Sequence, residues 1–238
     1  MNIAIIGYGK MGHEIETIAT GRGHVIKLIV DQDNREALNE TNLKDIDVAI
    51  EFSSPVVALS NIISCLVNNV SVVSGTTGWL EEYETAVEIC KKNNTSFIHS
   101  SNFSIGVNLF FRINIKLAEH MNRYRNYNVK IEDIHHIKKL DAPSGTAINL
   151  AGDIIEKHSD YNGWCFDDDK TKNCIPIHSV REGEFPGTHI VTWDSDIDSI
   201  ILKHEAKSRK GFALGAVVAA EYIYLKKGIF SMSDVMGF

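Results

Sequence analysis

The sequence predicts an α/β fold in two parts: a doubly wound parallel sheet, then a smaller α+β domain with a mixed or antiparallel sheet. Three observations predict it. Over the first hundred residues, short runs of Ile and Val alternate with segments of helical periodicity. Gly7-x-Gly9-x-x-Gly12 falls between the first strand and the first helix. After Phe103, strand candidates follow one another with no helix between them.

Taken in order, residues 2–7, 25–31, 47–52, 70–75 and 95–99 read as strands. Their near-continuous apolar character suits a parallel sheet covered on both faces. Residues 10–21, 55–69 and 79–94 carry apolar residues at helical spacing, the second opened by Pro55 in a helix-starting position. This βαβ series predicts a Rossmann-like domain. Residues 105–121 read as a long helix leading to a strand that ends at His135 and His136. A helix from Gly145 follows, then strands over 175–181, 188–195 and 199–207. A final apolar helix is read from Gly211 through Gly228, placed to pack back on the first domain. The expected division is a dinucleotide-binding domain of residues 1–104 and 209–238, and a substrate-binding and oligomerisation domain of residues 105–208.

Composition narrows the function classes. With 238 residues, 44% hydrophobic and 23% charged, the chain has enough apolar content for packed domains, which argues against disorder. A net charge of −7 with no long basic block disfavours nucleic acid and anionic membranes as partners, so an anionic ligand must be drawn in by a local site. No run approaches the roughly 18 apolar residues that span a bilayer. Cys65, Cys90, Cys165 and Cys174 lack the spacing of a zinc site, and no signal peptide precedes the first strand. Reduced thiols in a cytoplasmic protein are expected.

The glycine loop predicts a nicotinamide dinucleotide. Gly7 permits the tight turn, Gly9 lets the backbone approach a pyrophosphate, and Gly12 allows close helix–sheet packing, while the helix N-terminus favours negative charge. Asp31, 19 positions after Gly12, stands where a carboxylate would accept hydrogen bonds from the adenosine ribose and repel a 2′-phosphate. NADH is therefore expected to be preferred over NADPH. Three further loops follow strand ends and should face the cofactor: Phe52-Ser53-Ser54, Gly75-Thr76-Thr77-Gly78 and Ser100-Ser101-Asn102-Phe103.

The catalytic candidates lie in EDIHHIKKLDAPSGTAINL, residues 132–150. Ser144 is a suitable N-cap, and apolar residues at 147, 148, 151, 154 and 155 make one face of the helix behind it. The free amides of Gly145 and Thr146, with the Ser144 hydroxyl, form a seat for a carboxylate or phosphate. Upstream, His135, His136 and Lys139 can exchange protons with a bound anion. A metal site on His135 and His136 is not expected, because adjacent residues rarely converge on one ion and the sequence offers no obvious carboxylate partner.

This stretch, His135-His136-x-x-Lys139-x-Asp141-x-Pro143-Ser144-Gly145-Thr146-Ala147, resembles the signature of the dihydrodipicolinate reductase family. The likeness extends to Gly75-Thr76-Thr77-Gly78, Asn102-Phe103-Ser104, Ser179-x-Arg181-x-Gly183 with Gly187-x-His189, and His204-x-Ala206-x-Ser208-Arg209. It implies reduction of 4-hydroxy-tetrahydrodipicolinate to tetrahydrodipicolinate by NAD(P)H with loss of water, in lysine and diaminopimelate synthesis. It implies His135 as proton donor and acceptor and Lys139 as proton donor, with His136, Ser144, Gly145 and Thr146 holding the dicarboxylate. Gly7, Tyr8, Gly9, Lys10, Met11, Gly12, Asp31, Phe52, Gly75, Thr76, Thr77, Ser100, Ser101, Asn102 and Phe103 would hold the cofactor. A homotetramer built through the second domain's sheet, and closure of the domains over substrate, are implied too. Lys10 stands where the family usually has arginine, which beside Asp31 and Asp33 again points toward NADH.

Two other readings remain at this level. Another two-domain NAD(P)-dependent dehydrogenase of a small carboxylic acid would share the plan, although a semialdehyde dehydrogenase would need a cysteine between residues 99 and 146, where none occurs. A non-catalytic NADH-binding redox sensor would need neither the proton carriers nor the anion seat.

Overall fold

The computed structural model describes residues 1–167, 171–184 and 186–238. They form two compact units, Met1–Ile105 with Arg209–Phe238, and Gly106–Ser208.

The first unit opens with β1 (Asn2–Ile6), α1 (Lys10–Gly21) and β2 (Val25–Val30), then a 3-10 turn, α2 (Glu40–Leu43) and β3 (Val48–Glu51). It continues through α3 (Pro55–Val67), β4 (Ser71–Ser74), α4 (Tyr83–Lys92) and β5 (Ser96–His99). The second unit holds most of α5 (Ile105–Met121), then β6 (Asn128–His135), α6 (Gly145–Lys157), β7 (Gly163–Phe166), β8 (Cys174–Arg181), β9 (Gly187–Asp194) and β10 (Ser199–Ala206). The chain then supplies α7 (Lys210–Ile223), β11 (Gly228–Phe230) and α8 (Met232–Met236) to the first unit.

Six parallel strands in the order β11-β5-β4-β3-β1-β2 make the first sheet. Alternation of side chains divides its core cleanly. Ile3 and Ile5 pack on one face with Ile15 and Ala19 of α1 and Ala216 and Ala220 of α7, whereas Ala4 and Ile6 face Ile62 and Leu66 of α3 and Cys90 of α4. Strand order reverses between β1 and β3, so the loops leaving their carboxyl ends diverge and open a crevice.

The second sheet is mixed, in the order β10-β9-β6-β8-β7. β9 runs antiparallel to β6 and β10, while β8 runs parallel to β6 and β7. Its core gathers Ile131, Ile177, Val191 and Trp193 from the strands with Leu150 and Ile154 from α6.

Three features depart from the sequence reading. The terminal helix stops at Ile223 rather than near Gly228, because Leu225 and Gly228 both take positive φ and break the helix, after which β11 pairs with β5. β7 is too short and too glycine-bounded to announce itself. Cys165 and Cys174, expected as free thiols, are joined in a disulfide. The two cysteines lie on the paired strands β7 and β8, two positions out of register, with Cα atoms 5.8 Å apart. Cys65 and Cys90 are free and buried. Among the described residues no helix is long and apolar enough to cross a membrane.

Candidate active site

At the crevice between β1 and β3 lies a cavity of about 320 Å³, lined by Gly7, Gly9, Asp31, Gln32, Arg35, Phe52, Ser53 and Asn61 among others. A second recess, of about 450 Å³, is bounded by Gly9, Lys10, Met11, Phe52, Gly75, Thr76 and Thr77. The glycines shape both. Gly7 has φ +90, and a Cβ there would fall 2.1 Å from the Phe52 carbonyl oxygen. A Cβ on Gly75 would strike the Phe52 ring at 2.1 Å, and one on Gly12 would meet the Gly7 carbonyl at 2.5 Å. Gly9 is different, since a Cβ there would meet nothing within 4 Å. The protein itself leaves that side of the loop clear, beside the first-turn amides of α1, as a pyrophosphate requires.

Beneath the loops sits Glu51, fully buried at the end of β3. Its carboxylate accepts from the Thr76 hydroxyl at 2.8 Å, the Ser74 hydroxyl at 2.7 Å, the Ser53 amide at 3.0 Å and the Ser53 hydroxyl. The Ser53 amide also donates to Thr76 Oγ1 at 2.8 Å. One acid therefore braces the loops after β3 and β4.

Not every cofactor residue read from the sequence lines these recesses. Tyr8 turns its hydroxyl to Glu16 and packs at a tilt against the His13 ring. Phe103 is 2% exposed in the core, 5.9 Å from the Phe52 ring, with its carbonyl packed so tightly on α7 that a Cβ at Gly215 would overlap it. Those two side chains help support the walls. Gly12 does the same by letting α1 approach. Ser100 donates to the Asn102 carbonyl at 2.9 Å, and Asn102 Oδ1 accepts from the Ser104 amide at 2.9 Å, so this loop is tied down ahead of α5, while Ser101 is exposed. Glu51 carried no role in the sequence reading, although it is visible as an acid ending an otherwise apolar strand.

In the second unit β6 alternates, burying Val129, Ile131, Asp133 and His135 on one face. Register sets Ser179 of β8 and His189 of β9 directly opposite Asp133, and Arg181 opposite His135. Asp133 is fully buried and surrounded by donors. Ser144 gives it both its amide, at 2.8 Å to Oδ2, and its hydroxyl, at 2.6 Å to Oδ1. Arg181 Nη2 donates to Oδ2 at 2.9 Å and also to the Asp141 carbonyl at 2.7 Å. His135 Nδ1 stands 2.9 Å and His189 Nε2 3.2 Å from Oδ1, an ion-pair approach that for Nδ1 lies off the in-line direction of a full hydrogen bond.

Electrostatics follow from this arrangement. Burial pushes the Asp133 carboxyl up, but the contacts from His135, His189 and Ser144 outweigh it and hold the group ionised well below the usual carboxylate range. Burial pushes His189 down, against the pull of Asp133, which favours its neutral form. Asp133, His135 and His189 bring potential ligand atoms within 4.8 Å of one another, so a carboxylate does stand beside His135, contrary to the sequence reading. Period-two alternation along β6 was the signal that could have found it. The second carboxylate oxygen is already held by Arg181 and Ser144, which makes Asp133 a hydrogen-bond hub.

Ser144 links this cluster to α6. At 2% exposure its side chain faces inward, donating to Asp133 while accepting from the Ala147 amide at 3.2 Å as the N-cap of α6. The Gly145 and Thr146 amides behind it, as first-turn groups, have no partner within the helix. His136 is half-buried just past the strand, with Nδ1 enclosed and lacking an in-line partner. Lys139 reaches both oxygens of Asp141 at 2.8 Å.

Family comparison settles which chemistry this belongs to. Residues 1–103 match the family model for the N-terminus of dihydrodipicolinate reductase, and residues 106–236 match the model for its C-terminus. The chain belongs to the dihydrodipicolinate reductase family. A curated 4-hydroxy-tetrahydrodipicolinate reductase of Christiangramia forsetii is 53% identical over 99% of this chain and 98% of its own length. One from Methanocaldococcus jannaschii is 34% identical over 98% of the chain and 81% of its own. Among solved structures, a dipicolinate-bound dihydrodipicolinate reductase from Paenisporosarcina sp. TG-14 shares the fold, with a TM-score of 0.79 at 24% identity over 97% of each chain. As a dihydrodipicolinate reductase the chain is an NAD(P)H-dependent oxidoreductase, and the clear space over Gly9 with Asp31 and Arg35 beyond it fits such a dinucleotide.

Proposed function

We propose that the chain reduces 4-hydroxy-tetrahydrodipicolinate to tetrahydrodipicolinate, with loss of water, in the route to diaminopimelate and lysine. The observation that carries this reading is one continuous strand–loop–helix segment holding a buried histidine, a lysine and an open helix N-terminus.

The Gly145 and Thr146 amides, at the positive end of α6, receive one substrate carboxylate, and the His136 ring and the Lys139 ammonium bind the other. His135 exchanges a proton through the ring nitrogen not turned to Asp133, and Lys139 delivers the proton that completes reduction once it leaves Asp141. When bound, the dihydronicotinamide supplies the hydride. Glu51 holds the Ser53 and Thr76 loops in place for it, while Asp31 faces the adenosine ribose and favours NADH over NADPH.

The proposal includes a cytoplasmic homotetramer assembled through the second sheet, whose edge strands expose Phe166 on β7 and Ile201 on β10 at 49% and 59%. The test of function is a coupled assay in which the preceding synthase generates the substrate. Loss of reduced-nucleotide absorbance, dependent on both enzymes, is expected with NADH and more weakly with NADPH. No turnover with either nucleotide would overturn the reading.

A further inference from the structure

Asp133 on β6 is the centre of a buried polar cluster. Most surface ion pairs of the chain are exposed and isolated, but Asp133 joins five residues from four segments: His135 on its own strand, Ser144 at the start of α6, Ser179 and Arg181 on β8, and His189 on β9. A carboxylate buried so completely is costly unless each oxygen is satisfied, so its position is narrowly determined by these partners.

We propose that Asp133 is the positioning residue of the reaction: it turns His135 so that Nδ1 faces the carboxylate and Nε2 remains for proton exchange, and through Ser144 it fixes where the Gly145 and Thr146 amides stand. The proposal rests on the reading of His135 as the proton-exchanging group. Asp133 itself touches neither substrate nor cofactor in it.

Two independent features support the orientation. His135 is 7% exposed, so its ring cannot swing out without breaking the burial of the strand face. On the far side of the ring lies Gly187, with φ +153, where a Cβ would come within 2.8 Å of His135 Nε2. The absence of a side chain there leaves Nε2 the clearance that the Asp133 contact cannot give Nδ1. The charged and titratable groups around the pair are Arg181 from β8, His189 from β9, and Lys139 and Asp141 from the following loop. Of these, Arg181 touches the carboxylate from the side opposite His135. Ionisation of Asp133 is maintained by the same donors that position it.

The first test is made on the unaltered full-length enzyme. Side-chain nitrogen NMR, with His135 assigned from a His135→Gln spectrum, should show the neutral ring protonated at Nδ1. A ring protonated at Nε2 would overturn the proposal. In Asp133→Asn, whose amide can donate to Nδ1, the tautomer should switch, and kcat should fall about a hundredfold or more while KM for the reduced nucleotide stays within about twofold. Asp133→Glu, which keeps the charge, should recover part of kcat. A folded Asp133→Asn enzyme with wild-type kcat would overturn the proposal, and if that variant does not fold, the wild-type tautomer decides alone. His135→Ala assayed in parallel separates the two claims. Full activity there removes the role of His135 itself, whereas an inactive His135→Ala beside a fully active Asp133→Asn removes only the positioning role.

Discussion

Thr76 donates its hydroxyl to buried Glu51 across 2.8 Å, and the amide of Ser53 closes the triangle by donating to both. Two loops that leave different strands are thereby held by one acid side chain at the floor of the dinucleotide crevice.

Replacing that acid by its amide should loosen the floor without touching His135 or Lys139 of the second unit. Glutamine offers one acceptor oxygen where Glu51 offers two, so either the Ser74 hydroxyl or the three donors on the other oxygen would face an NH₂ group. Glu51→Gln is expected to raise KM for the reduced nucleotide about tenfold, equivalent to roughly 1.4 kcal/mol, with a smaller effect on kcat. Steady-state kinetics with nucleotide varied checks this; an unchanged KM would show that the loops hold their geometry without the acid.

Proton transfer is tested separately. His135→Ala and Lys139→Ala should each lower kcat by about two to four orders of magnitude, with nucleotide affinity measured by fluorescence titration near that of the parent enzyme. For Lys139 the loss also frees Asp141, which is exposed enough to be solvated, so stability should change little.

The proposed preference for NADH rests on Asp31. The residue lines the crevice beside Arg35, and its amide donates to Asn34 Oδ1 at 2.7 Å at the start of the 3-10 turn. Removing the carboxylate while keeping Arg35 should narrow the ratio of kcat/KM for NADH over NADPH. A ratio that does not move would assign Asp31 to the turn alone.

Stability should depend on pH through Asp153 on α6. Burial raises its carboxyl to about 6, opposed by a hydrogen bond from Asn114 and reinforced by nearby Glu156. The folded protein therefore binds this proton more tightly than the unfolded chain does. The favourable contribution is complete below the ordinary aspartate range near 4 and disappears as pH rises through about 6. Asp153→Asn should be more stable than the parent at pH 7.5, by about 1–2 kcal/mol, and close to it at pH 4. Urea denaturation at the two pH values reads the difference.

Much of this was legible before any coordinates. β1 to β5 and the helices between them announce themselves because fully buried parallel strands need unbroken apolar runs and amphipathic helices need a 3.6-residue period. The motif from His135 to Thr146 was legible because a capped helix start next to clustered proton carriers has few structural uses. Asp133 escaped notice because its meaning depends on register: nothing in the sequence says that Ser179 and His189 stand opposite it. The same blindness hid Glu51, whose partners come from three chain segments. The inward turn of Phe103 and the Tyr8–Glu16 contact were hidden as well, because a loop's place can be deduced from topology, whereas the direction of each side chain within it is decided by packing. The Cys165–Cys174 bond, too, depends on which strands become neighbours.

The return of the chain at α7 and β11 has a consequence for synthesis. Until residues 228–230 leave the ribosome, β5 presents an unpaired parallel edge, and the apolar face that α7 covers lies bare. The nucleotide half of the molecule is thus begun first and completed last, and a nascent chain halted anywhere in the second unit would carry both an open sheet margin and a wet core. Chaperone capture of such stalled chains, concentrated on β5, is what this threading order leads one to expect.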